Sequence, residues 1–207
     1  MTEAFLATLL FVLAAAGIAT VWLRRGRSVR ATPSERRRPL DGDDLIPDAV
    51  GSLTHAITIG RPPEAVWPWL VQMGGDRAGW YSYDVIDNAR RPSATRILPD
   101  LQSIEVGMIV PALPGATDAF TVLRVDPHRT LVLGWVRAAR AIAMTWAFVL
   151  EPAAGAHARL IVRARVGHAY QFHGVPAWAA RGVLPPVHFV MQRKQLLGIA
   201  WRAERGA

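Results

Sequence analysis

A cluster of aromatic and acidic side chains lies at residues 79–84, which read Gly-Trp-Tyr-Ser-Tyr-Asp. Its aromatic members are Trp80, Tyr81 and Tyr83. If Asp84 faces a cavity among these rings, burial will raise the pKa of its carboxyl group and allow it to transfer protons. The same pattern fits a structural role, in which Ser82 or Asp84 caps the next helical turn and the aromatic rings belong to the core. Both interpretations remain open.

Histidines near the end of the chain are the other candidates for acid–base chemistry. His173 and His188 flank the approach to the last predicted helix. A histidine in a cavity can act as a general base, although a lone histidine more often serves as a hydrogen-bonded core residue. The sequence contains no His-x-His or His-Glu-x-x-His pattern and no cysteine, so we expect neither a metal site nor thiolate chemistry.

Cationic side chains on the last helix offer a further possibility. Arg193 and Lys194 could pair with a ligand carboxylate or phosphate, or could form a solvated helix edge. No glycine-rich phosphate loop and no Gly-x-Ser-x-Gly motif occurs, so we expect no nucleotide cofactor and no serine nucleophile. Trp135 and Trp146 are strand residues whose ordinary role is packing.

The elements that must position these residues follow one simple order. Residues 53–59 alternate as a strand with one buried face, and Pro63 begins a helix that ends before Gly74 and contains Pro68. From Val106 onward the pattern is strand, turn, strand, which indicates an antiparallel meander. A closing helix over residues 186–205 is apolar on two faces, so we expect it to lie between two layers.

This order resembles the helix-grip layout of the SRPBCC superfamily, which includes START, birch-pollen-allergen-like and polyketide cyclase/dehydratase-like proteins. Local motifs resemble an actinobacterial group of that superfamily with an N-terminal transmembrane helix. These motifs are residues 59–67, 67–74, 79–84, 96–102, 146–152 and 191–199. The resemblance covers about residues 52–204 and implies an α+β helix-grip fold, in which a curved antiparallel sheet surrounds a long C-terminal helix.

The resemblance also implies a cavity between the sheet and that helix. We expect its lining to include Trp80, Tyr81, Tyr83, Trp135, Trp146, His173, Phe189 and Arg193. Such pockets are mostly apolar, with a few polar groups that orient the ligand. Related cyclases suggest Asp84 or His188 as a catalytic base, but no catalytic motif is shared across the superfamily, so no catalytic assignment follows.

The N-terminus predicts a membrane anchor. Residues 4–23 form a charge-free apolar run long enough to span a bilayer as a helix, and the arginines that follow it place the C-terminal side in the cytoplasm. A cleaved signal peptide is the alternative, but Met1-Thr2-Glu3 carries no basic side chain. We therefore predict a single-pass cell-membrane protein with a transmembrane helix at 1–23, a basic then acidic linker at 24–50 and a cytoplasmic helix-grip domain at 51–207.

The charge distribution argues against nucleic acid as a partner. Residues 1–38 carry seven arginines and two glutamates, which accounts for +5 of the net charge of +8. The excess beside the apolar run could contact anionic lipid headgroups. We expect a domain that binds a hydrophobic or lipid-like small molecule without catalysis. The alternatives are a cyclase- or dehydratase-like enzyme acting on a polyketide or isoprenoid, and a protein-interaction module of the chaperone-activator type.

Overall fold

A six-stranded antiparallel sheet forms the body of the protein. The computed structural model describes residues 27–137, 141–170 and 177–206, with backbone only for 177–184. Neighbouring strands follow the order β1-β6-β5-β4-β3-β2, so each hairpin lies beside the next and β1 closes onto β6. The strands are β1 Gly51–Ile59, β2 Ile109–Pro111, β3 Ala119–Asp126, β4 Thr130–Val136, β5 Ile142–Ala153 and β6 His157–Val166.

The helices complete an α+β arrangement with the helix-grip order that the resemblance implies. Single 3₁₀ turns lie at Asp43–Leu45 and Pro99–Leu101. The α-helices are α1 Pro33–Arg37, α2 Pro63–Val71, α3 Asp84–Asp87 and α4 Ala177–Arg205. Helix α4 begins earlier than the predicted residue 186, because it continues through Pro185 and Pro186. Prolines lack the backbone N–H and are usually helix breakers, which is why the sequence placed the start there.

The main core lies between the inner face of the sheet and α4. Leu196, Ile199 and Ala200 of α4 are buried with Ile57 and Ile59 of β1 in one apolar cluster. The second apolar face of α4 behaves differently. Val187, Val190 and Trp201 are largely exposed on the described surface, so the predicted second layer does not cover them there.

Residues 27–50, predicted to be a linker, pack along the outer face of the sheet, and we call them the N-terminal strap. Ala31 and Leu40 are buried against the sheet in a second apolar cluster. Glu35 completes a capping box with Thr32 at the start of α1. The strap is therefore a layer of the structure rather than an unpacked connection.

Arginines of β6 hold the strap in place. The Arg163 side chain is only 3% exposed and donates to the Glu35 and Arg38 carbonyl oxygens and to the Asp43 carboxylate. Arg159 pairs with the Glu35 carboxylate at 2.7 Å and lowers the pKa of that group to about 2. The alternating arginines of this strand thus donate hydrogen bonds to carboxylate and carbonyl oxygen atoms of the strap.

The predicted transmembrane helix at residues 4–23 lies outside the described residues. Among the described residues, no helix combines the length and the apolar character needed to span a bilayer.

Candidate functional site

A cavity of about 400 Å³ lies between the inner face of the sheet, the segment around Trp80 and the middle of α4. Its wall is almost entirely apolar, which is typical of pockets for small organic molecules. The aromatic part of the wall consists of Trp80, Phe120, Trp135 and Trp146. The polar side chains on the wall are Ser82, Asp87, Asp118, His188, Gln192 and Gln195.

The aromatic rings pack on one another along one side of the cavity. The Trp80 and Trp146 ring centroids are 5.4 Å apart, and Phe120 meets Trp80 edge-on at 5.7 Å. The Trp80 Nε1–H donates to the Ala112 carbonyl oxygen and the Trp146 Nε1–H to Gln192 Oε1, each at 2.9 Å. Because both indole donors are satisfied, these rings offer apolar surface to a guest.

An irregularity in the sheet places a third tryptophan on this wall. The β4–β5 register shifts after Trp135, which is paired with Met144 on the neighbouring strand. A bulge of this kind bends a strand and re-aims side chains. Trp135 and Met144 both line the cavity and are only half-buried, because the space in front of them is not filled by protein.

Tyr81, the neighbour of Trp80 in the chain, has an unusual backbone conformation. Tyr81 has φ 60°, and its hydroxyl accepts a hydrogen bond from Gln72 Nε2 at 2.9 Å. Gly198 of α4 lies so close that an added Cβ would be 2.2 Å from the Tyr81 carbonyl oxygen. Helix α4 therefore packs in close contact with this segment. Trp80 lines the cavity, and Tyr81 is buried in the core.

Asp84, the predicted proton-transfer candidate, has a structural role. Its Oδ1 accepts from the Ser93 hydroxyl at 2.5 Å and its Oδ2 from the Ser93 backbone N–H at 3.1 Å. The carboxylate thus fastens the loop after α3, and Asp84 does not reach the cavity wall. The predicted helix cap is not formed, because the short helix α3 has no side-chain cap and Asp84 binds Ser93 on a later loop instead.

Asp87 and Asp118 are the carboxylates that line the cavity, and the sequence singled out neither. Asp87 is the one with an unsatisfied buried oxygen among the described residues. Its Oδ1 is buried and has no hydrogen-bond partner among the described residues. Burial raises the pKa of the Asp87 carboxyl to about 6; the Asp84 carboxylate adds to this rise and the nearby Ser82 hydroxyl opposes it. A carboxyl group that titrates near neutrality can accept a hydrogen bond or exchange a proton.

His188 also lies on the wall, and it has a second histidine beside it. Its ring centroid is 5.7 Å from that of His55 on β1. His188 Nε2 and His55 Nδ1 are both buried without a partner among the described residues. Burial lowers the pKa of each histidine to about 4, so both imidazoles are neutral at physiological pH.

Other predicted lining residues lie elsewhere. Tyr83 is 39% exposed and faces the Lys194 ammonium, 5.9 Å from its ring centroid. Phe189 packs against His55 with 5.4 Å between ring centroids, and Arg193 is buried off this wall. Tyr81 points into the core, stacked under the Arg202 guanidinium at 4.4 Å. His173 lies outside the described residues.

The side chains do not assemble a metal centre in the described part of the chain. Within residues 27–137, 141–170 and 185–206, no group of three or more His, Cys, Asp and Glu is placed to share one ion.

Comparisons with known proteins find similarity only at the level of solved structures. No protein-family model matches the chain, and no curated protein matches it. The Zhui aromatase/cyclase from Streptomyces sp. R1128 shares 18% identity, with 75% of this chain and 94% of that chain covered and a TM-score of 0.43. A protein encoded by gene BPP1335 of Bordetella parapertussis shares 21% identity, with 88% and 85% covered and a TM-score of 0.43.

A third similar structure is the Aha1 dimer from Colwellia psychrerythraea. It shares 16% identity, with 73% of this chain and 98% of that chain covered and a TM-score of 0.35. These TM-scores lie below 0.5, so the functional conclusion rests on the cavity of this chain itself.

Proposed function

We propose that this domain binds an apolar small molecule in the cavity between the sheet and α4, and that it does so without catalysing a reaction. The supporting observation is a partly open cavity of about 400 Å³ whose wall is largely apolar and includes four large aromatic side chains. Apolar surface in contact with water is unfavourable, and a guest that removes it from water is bound favourably. A guest that covers Trp135, Met144 and Trp146 removes such surface from water.

The binding test compares a filled cavity with an unaltered one. Ala116 lies on the wall, so Ala116→Trp should fill part of the void. Ala154 is exposed in the β5–β6 turn, so Ala154→Trp adds the same side chain where it meets only solvent. Native mass spectrometry of full-length protein released gently from membranes should show an apolar ligand with wild type and Ala154→Trp and none with Ala116→Trp. Protein that is consistently empty in all three would count against the proposal.

Attachment to the bilayer through residues 4–23 is part of the proposal. A tether raises the concentration of the domain near ligands dissolved in the membrane. The strap begins directly after the arginine-rich flank, and Arg27 pairs with Glu204 of α4 at 2.8 Å. The contact between Arg27 and Glu204 would hold the domain close to the membrane surface. There the flanking arginines could also contact anionic lipid headgroups.

Fractionation tests the attachment. Full-length protein should resist alkaline carbonate extraction, whereas deletion of residues 1–26 should release it. A C-terminal reporter should read as cytoplasmic, and the mature protein should begin at Met1 or Thr2. N-terminal sequencing that starts near Gly17 would show cleavage and would move the domain to the other side of the membrane.

An enzyme is the second candidate, because titratable side chains with polar atoms left unsatisfied by the described residues, Asp87 and His188, lie on the cavity wall. Asp87 titrates near pH 6 and His188 is a neutral base, so either could move a proton in a cyclisation or dehydration. If a polyketide or isoprenoid is turned over, Asp87→Asn or His188→Gln should abolish product formation while the ligand still binds. Undiminished turnover in both variants would remove this candidate. The chaperone-activator alternative predicts a partner complex that survives the Ala116→Trp substitution.

A further inference from the structure

Two buried polar atoms on the cavity wall lack partners among the described residues. They are Oδ1 of Asp87 and Nε2 of His188. A buried polar group without a hydrogen bond is destabilising, and such groups are rare in folded proteins. Both atoms belong to side chains that line the same cavity, so a guest in the cavity is placed to satisfy them.

We infer that the ligand is a neutral molecule with an apolar, ring-like body and a hydroxyl group that is held between Asp87 and His188. The inference rests on the proposed binding function and specifies the chemical class of its ligand. A hydroxyl donates one hydrogen bond and accepts others. It can donate to the Asp87 carboxylate and accept from, or donate to, His188 Nε2 according to the imidazole tautomer.

The other polar side chains on the helix side of the wall already have partners. The Ser82 hydroxyl donates to the Met191 carbonyl oxygen at 3.1 Å. Gln192 Oε1 accepts from Trp146, and Gln192 Nε2 donates to Gln195 Oε1 at 2.8 Å. Asp118, the other carboxylate on the wall, also has an interaction partner. Among the described lining residues, the buried side-chain atoms without a hydrogen bond therefore belong to Asp87 and His188.

Charge selects among the possible polar groups. A ligand carboxylate would bring a second negative charge beside Asp87 in a poorly solvated site, where like charges repel strongly. A hydrocarbon would leave both buried atoms without partners. An ammonium group could pair with the Asp87 carboxylate, but it cannot accept a hydrogen bond from a protonated His188 Nε2, and the apolar remainder of the wall does little to replace its hydration.

The aromatic side determines the body of the ligand. The cavity wall includes the ring surfaces of Trp80, Trp135 and Trp146. The indole N–H groups of Trp80 and Trp146 are already hydrogen-bonded within the protein. Flat rings stack well on such surfaces. Fused-ring compounds are accordingly suitable probes for the inferred class.

Four matched probes test the inference: 9-phenanthrol, phenanthrene, phenanthrene-9-carboxylate and 9-(aminomethyl)phenanthrene. Binding would be measured at pH 8 by tryptophan fluorescence on the full-length chain in phospholipid nanodiscs, with empty nanodiscs correcting for partition into lipid. We expect 9-phenanthrol to bind about tenfold or more tightly than the other three.

Matched substitutions locate the preference. Asp87→Leu and His188→Phe should each reduce the affinity for 9-phenanthrol, so that its preference over the other three probes falls to less than about threefold. Asp100→Leu and His168→Phe change exposed residues and should leave the preference intact. The two cavity variants are independent, so one that fails to fold still leaves the other as a test.

The outcomes separate the inference from the proposed function. Equal binding of phenanthrene and 9-phenanthrol, or tighter binding of the acid or the amine, would overturn the hydroxyl assignment and leave an apolar-binding domain. A preference that survives in the folded cavity variants would overturn the assigned residues. If no probe binds, the assignment of a ring-like body fails together with the hydroxyl assignment, whereas the proposed binding function is decided by the mass spectrometry of wild type and Ala116→Trp.

Discussion

The imidazole rings of His55 and His188 face each other across the interface between β1 and α4, with 5.7 Å between their centroids. His55 is buried and His188 is partly buried, and burial lowers the pKa of each from 6.5 to about 4. Neither ring has an acidic partner in the described contacts of its side chain. The pair is therefore stable only as two neutral rings.

Acid should destabilise the domain through this pair. Between pH 6.5 and pH 4 the unfolded chain binds more protons than the folded one, so stability falls as the pH is lowered through that window. The first protonation should remove on the order of 3 kcal/mol by pH 4. Urea titrations across this range should show a shallower pH dependence for His188→Gln than for wild type. The exposed control His168→Gln should follow wild type, and identical curves for all three proteins would contradict the assignment.

Asp84 and Asp87 should respond oppositely to the same substitution. Asp84→Asn places an amide donor against the Ser93 donors and should lower the free energy of unfolding by about 1–3 kcal/mol. Asp87→Asn removes a carboxyl group whose pKa is raised in the folded protein. Ionisation of this group destabilises the folded state, and that destabilisation is present above pH 6 and absent below about pH 4. At pH 8 the substitution should therefore raise the free energy of unfolding, on the order of 1 kcal/mol after allowance for the partial exposure of Asp87. Equal effects in chemical denaturation would refute this distinction.

Arg163 should be the most sensitive of the arginines that hold the strap. Arg163→Met keeps much of the packing but leaves the Asp43 carboxylate with a weaker partner and three strap carbonyls without their donor. We expect a loss of about 3–5 kcal/mol and faster proteolysis within residues 27–50. Arg124→Met breaks the more exposed pair with Asp44 and should change stability by no more than about 1 kcal/mol.

Gly198 should not tolerate a side chain. An added Cβ would lie 2.2 Å from the Tyr81 carbonyl oxygen, which is backbone and cannot move aside cheaply. Alanine normally favours a helix interior over glycine by about 1 kcal/mol, so a purely local effect would be stabilising. We expect Gly198→Ala to destabilise the domain and to alter ligand binding, because the segment that carries Trp80 must shift. A rise in melting temperature would contradict the close packing.

Much of the fold followed from the alternation of apolar residues along the chain. The pattern in residues 53–59 and 120–166 predicted the strands because a half-buried strand needs a side-chain period of two. The start of α4 was missed because consecutive prolines usually end a helix, whereas here they lie inside one. The strap was missed because its buried residues are few and widely spaced, and their partners are carbonyl oxygens that no sequence pattern displays.

The candidate site was predicted only in part for a related reason. Trp80, Trp135 and Trp146 were named as lining residues, and the structure places all three on the wall. Asp84 was chosen over Asp87, although the two lie in the same short helix. Which of them is satisfied depends on the path of the loop that brings Ser93 back to Asp84, and that path is a tertiary property.

Local periodicity and composition, read from the sequence alone, determined the succession of strands, the long closing helix and the charge-free run at residues 4–23. These features depend on neighbouring residues, and so they can be read along the chain. The tertiary structure alone decided that the sheet and α4 leave a void, that Asp87 and His188 meet it without partners, and that β6 arginines bind the strap. Those outcomes depend on which distant side chains fill a given volume or satisfy a given atom, and that is fixed only when the chain is packed.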